Sequence, residues 1–457
     1  MSQFDLQAQS EELKELVQKK DVVALKRIFG ELHSADIAEI LEQLFEFEVE
    51  EKSFLFSLLD AETASEVIMD LEGSDLDDIV ANISPIRITN IVSELESDEA
   101  ADLVSELDEE VADKVLELVS DDVSSEIKEL LTYKEDTAGS LMALEIVKVT
   151  ENQTIGEAIK ELRKISQEED IDDFYNIFVV DKKNKLVGHI SLQELVLSKR
   201  STLIKDAMTE PIAWVETSVD QEEVAQIAQK YDLVSIPVVD SQKCLVGRIT
   251  HDDLADVIAE EAAEDISRLT GSDSDEIYEK SSLATSRLRL PWLLIGLVGE
   301  IFSAIVLSNF ISSLEKVVAL TFFMPVIMAM AGNCGIQASS VIIRGVATGE
   351  FSTTNLKRQF LKEIRVGLIN GVICGSIIVG VIWVWFGLDL GIVVGASLAA
   401  VMIMASFFGA LIPITLKKFD VDPAVATGPF ITTSNDIFGL FLYLAFATFF
   451  IQTLGIS

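Results

Sequence analysis

The chain has 457 residues, of which 76 are acidic and 35 basic, and its formal net charge is −41. So acidic a chain repels nucleic acid and anionic lipid surfaces, and it attracts cations. Three cysteines and three histidines are scattered without the spacing of a disulfide framework or a zinc site, and the opening MSQFDLQAQSEEL lacks the basic start and apolar stretch of a cleavable signal peptide.

The negative charge is confined to the N-terminal part of the chain. The first 290 residues hold 68 acids and 27 bases, whereas the segment from Pro291 onward holds eight of each. Charge asymmetry of this kind is a signal about binding partners. We therefore expect an acidic, cation-attracting N-terminal part and a neutral, apolar C-terminal part.

Residues 31–131 repeat a short helical theme. Segments such as SADIAEILEQL, SDEAADLVSEL and EEVADKVLELV place Leu, Ile, Val and Ala at helical spacing, with the acids outside. Short helices that recur with polar joints are typical of a solenoid-like helical domain. The pattern predicts an acidic α-helical N domain over residues 1–131, in which most of the acids form a solvated face.

Residues 138–260 contain one pattern twice: a strand, a helix, a VVD strand, a turn, a second strand and a helix. The copies span about 138–200 and 203–260, and they resemble tandem α/β CBS domains, which commonly dimerise and sense ligands. GRITHDD in the second copy is similar to the CBS nucleotide-binding pattern, with Thr250 and Asp253 in the phosphate and ribose positions. The first copy has Glu194 in place of the Asp, so an adenine nucleotide is a candidate ligand on a partial match.

The helix that ends the second copy, DDLADVIAEEAAEDISRLTG, carries a row of carboxylates. Four acids recur at i+3, i+4 and i+4 on one face and two more lie beside them: Asp253, Asp256, Glu260, Glu264, Glu261 and Asp265. Like charges at this spacing destabilise a helix by about 0.2–0.5 kcal/mol per pair. One interpretation is an exposed acidic helix, and the other is a site for a hard divalent cation such as Mg²⁺. Residues 261–290 are predicted to form a connector helix.

Long apolar runs begin at Pro291, each enough for the roughly 20 residues that a membrane-spanning helix needs. The predicted spans of this five-helix transmembrane domain, residues 291–457, are 291–310, 318–343, 365–387, 391–416 and 425–454. All basic clusters then fall on one side of the membrane if the N-terminus is cytoplasmic and the C-terminus outside. We expect a multi-pass protein of the cell membrane.

Two of the spans carry polar faces. The polar residues of span two are Asn333, Gln337, Ser340 and Arg344, and those of the last span are Thr432, Asn435 and Asp436. Small and polar side chains also hold transmembrane helices together, which is the alternative interpretation. For Asp436 a functional role is favoured, because a charged side chain at the bilayer centre costs about 2.5–3.5 kcal/mol. Glu300 in span one is a second intramembrane acid, for which a polar cavity or a basic partner is the expectation.

An acidic helical domain, a CBS pair, a connector helix and five spans, in that order, resemble the MgtE magnesium channel/transporter family. The resemblance covers nearly the whole chain, and its most specific motifs are PVIMAMAGNCGIQAS in span two and VDPAVATGPFITTSND at the start of the last span. It implies a homodimer with a pore along the dimer axis. The pore would pass Mg²⁺ and close when cytosolic Mg²⁺ is high.

The resemblance also implies roles for individual residues. Asp436 falls at the conduction-site acid, Asn333 and Thr432 border that site, and Asp422 falls at a gating acid of the cytoplasmic mouth. The implied regulatory sensors of cytosolic Mg²⁺ are Asp98, Asp102, Asp253, Asp256, Glu261, Glu264 and Asp265. The chain departs from the family pattern at Gly428, where a polar residue is expected, and at Glu300, which has no family role.

Three rival classes of function remain at this point. The first is a CBS-regulated transporter of another cation, such as Co²⁺ or Mn²⁺, or one coupled to Na⁺. The second is a membrane-embedded enzyme, against which stands the absence of HExxH, P-loop and GxSxG motifs in the membrane half. The third is a sensor that conducts nothing, against which the intramembrane acid argues.

Overall fold

The structure is a computed structural model of the chain, and it describes residues 10–44, 48–71, 73–168, 176–211, 213–270, 272, 276, 281–347, 351, 353–419 and 428–454. The chain forms two compact units, Met1–Ala259 and Glu260–Ser457. The first unit contains the N domain and the repeated α/β domains. The second contains the membrane-spanning helices.

The described part of the N domain is helical throughout. Its helices are α1 Ser10–Lys19, α2 Val22–Phe29, α3 Ser34–Glu39, α4 Val49–Phe56, α5 Ala61–Met69, α6 Gly73–Val80, α7 Pro85–Val92, α8 Ser97–Ser105, α9 Glu109–Leu118 and α10 Asp121–Leu130, with a π-helical turn at Ile40–Leu44. Side-chain caps define several of the starts. Ser84 accepts a hydrogen bond from the backbone N–H of Arg87, with Pro85 in the first turn, and Glu96 and Glu99 form a reciprocal capping box.

One apolar core runs through the N domain and into the second α/β repeat. Its fully buried members include Leu25, Phe56 and Ile88 of the N domain and Ile236 and Ile249 of the repeat. Burial of each such side chain contributes about 1.5–3 kcal/mol. The predicted helical faces therefore pack as the sequence periodicity indicated.

The two repeats share one topology, which confirms the predicted α/β pair. The first consists of β1 Lys148–Thr150, α11 Ile155–Glu168, β2 Asn176–Val180, β3 Leu186–Ser191, α12 Leu192–Leu197 and α13 Ile204–Ala207. The second consists of β4 Val215–Glu216, α14 Gln221–Tyr231, β5 Ile236–Val239, β6 Leu245–Ile249 and α15 His251–Thr270. In each, the first strand pairs in parallel and the last antiparallel with the middle strand, and the second pairing is irregular at the same point, Val179/Val180 or Val238/Val239. The Asn184 side chain joins the repeats by donating to the Leu245 carbonyl at 2.9 Å.

The second unit confirms the predicted number of spans, since five of its described helices are long and apolar enough to cross a membrane. Its helices are α16 Ser282–Ser308, α17 Ile311–Lys316, α18 Leu320–Ala347, α19 Thr353–Phe386, α20 Leu388–Lys418 and α21 Gly428–Leu454. The central helix is α20, which packs against α18, α19 and α21. Small residues allow these contacts: a side chain at Gly371 or Gly375 of α19 would meet the backbone of α20.

Two boundaries differ from the sequence prediction. The predicted connector over 261–290 is divided between two helices, because α15 ends at Thr270 and α16 begins at Ser282. The intervening sequence is rich in turn-forming Gly, Ser and Asp. Likewise α19 begins at Thr353 rather than 365, and its 34 residues span about 51 Å, well beyond the roughly 30 Å of a hydrocarbon core. Its basic first turns therefore extend past the apolar layer.

Candidate functional site

The polar run at the start of α21 lies largely inside the protein. The Thr432 hydroxyl donates to the Gly428 carbonyl at 3.2 Å, which satisfies it within its own helix. Asp436 is only 8% exposed and Asn435 is fully buried. Neither the amide oxygen nor the amide nitrogen of Asn435 has a hydrogen-bond partner among the described residues. A buried polar group without a partner costs about 1–3 kcal/mol, so this arrangement calls for a ligand or water.

The α18 helix approaches α21 at two glycines. A side chain at Gly335 would collide with the Asn435 amide, and one at Gly332 would touch the Thr432 methyl group. The next residue, Asn333, lies on the exposed surface of the single chain. The structure therefore brings Thr432, Asn435 and Asp436 together on α21 and places Asn333 beside the α18–α21 contact.

The predicted polar face of span two is open on the single chain. Asn333, Gln337 and Arg344 are exposed, and Ser340 between them is half-buried. Helices α18 and α21 thus pack through their small residues, while the larger polar groups of α18 point away from that contact. Asp422, the predicted gating acid, lies outside the described residues.

The acid Glu300 meets another acid, which the sequence did not indicate. Helix α16 packs against α21, and the carboxyl groups of Glu300 and Asp436 lie within hydrogen-bonding reach of each other. No base lies within ion-pairing distance of either group in the described part of the chain, so the expected basic partner of Glu300 is not found there. This pair depends on how α16 and α21 align, which the sequence alone does not indicate.

A second candidate site is the cavity of about 1280 Å³ between the N domain and the repeats in the first unit. Among the described residues nine acids line it: Glu62, Glu66, Glu94, Glu96, Asp98, Glu99, Glu145, Asp252 and Asp253. Two of them, Asp98 in α8 and Asp253 in α15, are predicted sensor residues that the fold brings together from distant sequence positions. Asp98 is buried with 4% of its surface exposed.

Burial and mutual repulsion raise the pKa of three of these acids, Asp98, Glu99 and Asp253. Burial raises the pKa of Asp98 well above its usual value, and the negative charges of Asp253 and Glu96 add to the effect. Burial likewise raises the pKa of Glu99 to about 7 and raises the pKa of Asp253, although the Thr250 hydrogen bonds oppose the latter. A cation at this place would relieve the same repulsion.

Hydrogen bonds frame the cavity and involve residues that the sequence did not single out. Arg248 of β6 donates to the Glu96 carboxylate at 2.7 and 3.1 Å, and this ion pair is largely buried. Ser97 donates to Glu145 from its hydroxyl at 2.8 Å and from its backbone N–H at 3.2 Å. The sequence around Glu96 does not indicate its contact with Arg248, which lies 152 residues farther along the chain.

The other predicted sensor acids lie elsewhere. Asp102 is exposed on α8, and Asp256 is exposed on α15, where its charge adds to burial in raising the pKa of Asp70. Glu264 forms an ion pair with Arg268 one helical turn away. Glu261 and Asp265 are half-buried on the same helix, in the second unit. Within the described residues, no three His, Cys, Asp or Glu side chains converge closely enough to hold a metal directly.

The predicted nucleotide-binding residues line the same cavity. The Thr250 backbone N–H donates to the Asp253 carboxylate at 3.0 Å, and the Thr250 hydroxyl also donates to it. Phe178 and Ser235 contribute to the wall from the two repeats. The cavity volume exceeds the roughly 300–1,000 Å³ of typical ligand pockets, so the cavity is large enough to enclose a cofactor.

Three family models match most of this architecture. The family described as "Divalent cation transporter" matches residues 324–446, the "MgtE intracellular N domain" matches 32–136, and the CBS domain matches 138–199 and 204–260. The matches cover the α18–α21 region, the helical N domain and both α/β repeats.

Similar proteins and structures agree with these matches. Magnesium transporter MgtE of Enterococcus faecalis is 38% identical over 324 residues, which are 71% of this chain and 71% of that protein. The Thermus thermophilus protein of the same name is 38% identical over 326 residues, 71% of this chain and 72% of its own length.

Two solved structures resemble the cytosolic part. The soluble part of a magnesium transporter is 31% identical with a TM-score of 0.50, and it covers 56% of this chain and 100% of its own. The cytosolic domain of the Mg²⁺ channel MgtE in complex with ATP is 32% identical with a TM-score of 0.51, and it covers 54% of this chain and 99% of its own. The chain therefore belongs to the MgtE family of divalent cation transporters and is not an enzyme.

Proposed function

We propose that this protein carries Mg²⁺ across the cell membrane through a site built around Asp436. The observation that carries the proposal is a buried carboxylate next to a buried, unpartnered Asn435 amide inside a membrane-spanning helix. Membrane-embedded acids are costly and mark ion pathways. The magnesium transporters to which the chain is similar support Mg²⁺ as the ion.

The ion would remain hydrated at this site. Mg²⁺ sheds its water reluctantly, so Asp436 attracts it through the hydration shell, and a monovalent ion gains about half of the Coulomb energy. Thr432 and Asn333 border the site and offer oxygen atoms to the hydration water. Asp422 at the cytoplasmic mouth would act in gating.

We further propose that two copies assemble around the pore. Asn333, Gln337 and Arg344 are exposed on the single chain, and lipid is an unfavourable environment for all three. A second copy placed against this face would enclose a polar channel between two Asp436 carboxylates. The positions of the basic residues support a cytoplasmic N-terminus and an external C-terminus.

Mg²⁺ flux into vesicles tests the proposed function. Purified full-length protein would be reconstituted around a Mg²⁺-sensitive dye, and uptake would be measured with Mg²⁺ alone and with Co²⁺ or Mn²⁺ in competition. We expect protein-dependent Mg²⁺ uptake that the other ions reduce only at excess. Uptake of Co²⁺ or Mn²⁺ in preference to Mg²⁺ would favour the rival transporter class, and the absence of any flux would contradict the proposal.

Cytosolic Mg²⁺ would close the pore through the regulatory acids. Asp98 and Asp253 repel each other when no cation is present, and a divalent cation between them would favour the docked arrangement of α8 and α15. The cation would be held by electrostatic attraction, because no three ligand side chains converge on one point in the described residues. Asp102 and Asp256 of the first unit would contribute further cation contacts there, and Glu261, Glu264 and Asp265 would do so in the predicted connector.

Limited proteolysis of the full-length protein tests this switch. We expect a chelator to speed cleavage between the N domain and the repeats, and Mg²⁺ to slow it. The Asp98→Asn variant, which lacks one of the two repelling charges, should respond less to the chelator. Equal digestion with Mg²⁺ and chelator would rule out a cation-dependent switch.

An adenine nucleotide would bind in the cavity beside Thr250 and Asp253. The ATP complex of the similar cytosolic domain supports this ligand. Among the described lining residues the arginine is Arg248, which is already paired with Glu96, so free triphosphate would be repelled by the surrounding acids. We therefore expect ATP to bind more tightly with Mg²⁺ than with a chelator, and calorimetry showing the reverse order would contradict this.

A further inference from the structure

Glu300 and Asp436 occupy the same level of the membrane-spanning unit. Gly299 of α16 contacts Thr433 of α21, and farther along the chain the Phe310 and Phe441 rings contact each other with centroids 6.0 Å apart. Both sequence positions increase together, so α16 and α21 run parallel. This register brings Glu300 beside Asp436, and their carboxyl groups lie within hydrogen-bonding reach.

A pair of acids in contact is unfavourable unless something positive lies between them. Each membrane-embedded carboxylate is costly alone, and two adjacent negative charges repel strongly. The described residues provide no base within ion-pairing distance of either group. Glu300 is exposed on the single chain whereas Asp436 is buried, so the pair connects the exterior to the interior of the unit.

A second observation comes from the next turn of α16. Ser303 is 3% exposed, and its hydroxyl has no hydrogen-bond partner among the described residues. It lies four residues after Gly299, so it shares the α16 face that packs against α21. By the register of the two helices, its hydroxyl lies at the level of residues 436–439. Ser303 lies one helical turn from Glu300, so this buried hydroxyl offers an unused hydrogen-bonding group on the same stretch of α16 as the acid.

We propose that Glu300 is a second cation-binding carboxylate of the intramembrane site, with Ser303 as a neighbouring oxygen donor. This inference rests on the proposed transport of Mg²⁺ through Asp436. Two carboxylates and a hydroxyl suit a hard divalent cation that keeps its water, because all three groups accept hydrogen bonds from the hydration shell. Glu300 doubles the negative charge near the ion in each subunit and thereby strengthens the preference for divalent over monovalent ions.

The test is the Mg²⁺ concentration that gives half-maximal flux into vesicles containing full-length protein. Removal of one of the two charges should raise this concentration about tenfold in Glu300→Gln, and Na⁺ should compete better than in the wild type. Glu300→Asp keeps the charge, so its half-maximal Mg²⁺ concentration should lie between those of the wild type and Glu300→Gln. This variant also keeps the proposal testable if Glu300→Gln does not fold. Glu315→Gln, the same change in the exposed helix α17, is the matched control and should match the wild type.

The outcomes separate the two proposals. If the wild type shows no Mg²⁺ flux, the proposed function fails. If the wild type conducts and Glu300→Gln has the same or a lower half-maximal concentration, the role of Glu300 alone is overturned. Ser303→Ala should raise the half-maximal concentration by a smaller factor, of about two to three, because only a neutral donor is lost.

Discussion

Gly299 in α16 and Thr433 in α21 are in such close contact that a methyl group at residue 299 would overlap the Thr433 methyl. The contact lies one residue from Glu300 and three from Asp436. Small residues at helix crossings let membrane helices approach closely, since packing rather than hydrophobicity holds them together. The position of Glu300 beside Asp436 therefore depends on the missing side chain of Gly299.

The first prediction concerns this contact. Gly299→Ala should force α16 away from α21, lower the thermal stability of the full-length protein in detergent and reduce Mg²⁺ flux. Adding Thr433→Ala to this variant removes the overlapping methyl group and should restore part of the thermal stability and part of the Mg²⁺ flux. Gly296→Ala is the control, because nothing lies within 4 Å of its added methyl. Equal behaviour of the two alanine variants would contradict the close-contact argument.

The sequence predicted the five spans and the α/β repeats because each rests on a local pattern. Apolar length marks a span, and the repeated strand–helix order marks the repeats. The pairing of Glu300 with Asp436 and of Arg248 with Glu96 could not be predicted in this way. Both depend on which helix or strand lies next to which, and neither member of either pair is near the other in sequence.

The arrangement of the cytosolic acids likewise depends on the packing of distant elements, which local sequence patterns do not reveal. The periodicity of α15 placed Asp253 and Asp256 on one predicted face, yet Asp253 lines the cavity while Asp256 is exposed near Asp70. Packing of α15 against the rest of the first unit separates the two. Glu264 had a base one turn away in the sequence, and its ion pair with Arg268 could have been anticipated.

The second prediction concerns the buried ion pair. Arg248→Met leaves the Glu96 carboxylate without its partner and should lower the free energy of unfolding of the cytosolic part by about 3 kcal/mol. Urea titration of the full-length protein in detergent would measure the loss. The double variant with Glu96→Gln should recover part of it, because no lone charge then remains.

A matched control uses an exposed ion pair. Lys19 and Glu15 lie one turn apart on α1, and both side chains are about two-thirds exposed. Lys19→Met should therefore change the stability by no more than about 0.5 kcal/mol. A loss for Arg248→Met as small as that for Lys19→Met would show that the Glu96–Arg248 pair adds little to the docked arrangement.

The third prediction concerns pH. The pKa of Glu99 is raised from 4.5 to about 7, chiefly by burial, so the folded state binds more protons than the unfolded state between these values. Stability from this group is present below pH 4.5 and is lost as the pH rises toward 7. We expect the unfolding midpoint of the cytosolic part to decrease as the pH rises from 4.5 to about 7.

Two comparisons isolate the contribution of these acids. Glu99→Gln, which cannot ionise, should flatten the decrease, and saturating Mg²⁺ should flatten it in the wild type. Glu157 is an exposed residue of α11, and its pKa is lowered by the hydrogen bonds that it accepts from Thr154. It offers a control, since Glu157→Gln should leave the slope between pH 4.5 and 7 unchanged. An identical slope in the Glu99→Gln variant would contradict the proposed origin of the pH dependence.

The most direct test of the account is the initial rate of Mg²⁺ uptake into vesicles by the wild type, by Asp436→Asn and by Asp389→Asn. Asp389 is an exposed acid in the first turn of α20, so its variant controls for the loss of one negative charge. All three proteins should have the same oligomeric state by size-exclusion chromatography with light scattering. We expect Asp436→Asn to lower the rate at least 100-fold, equivalent to about 2.7 kcal/mol, and Asp389→Asn to retain it. Wild-type uptake by Asp436→Asn would contradict the assignment of Asp436 as the ion-binding acid.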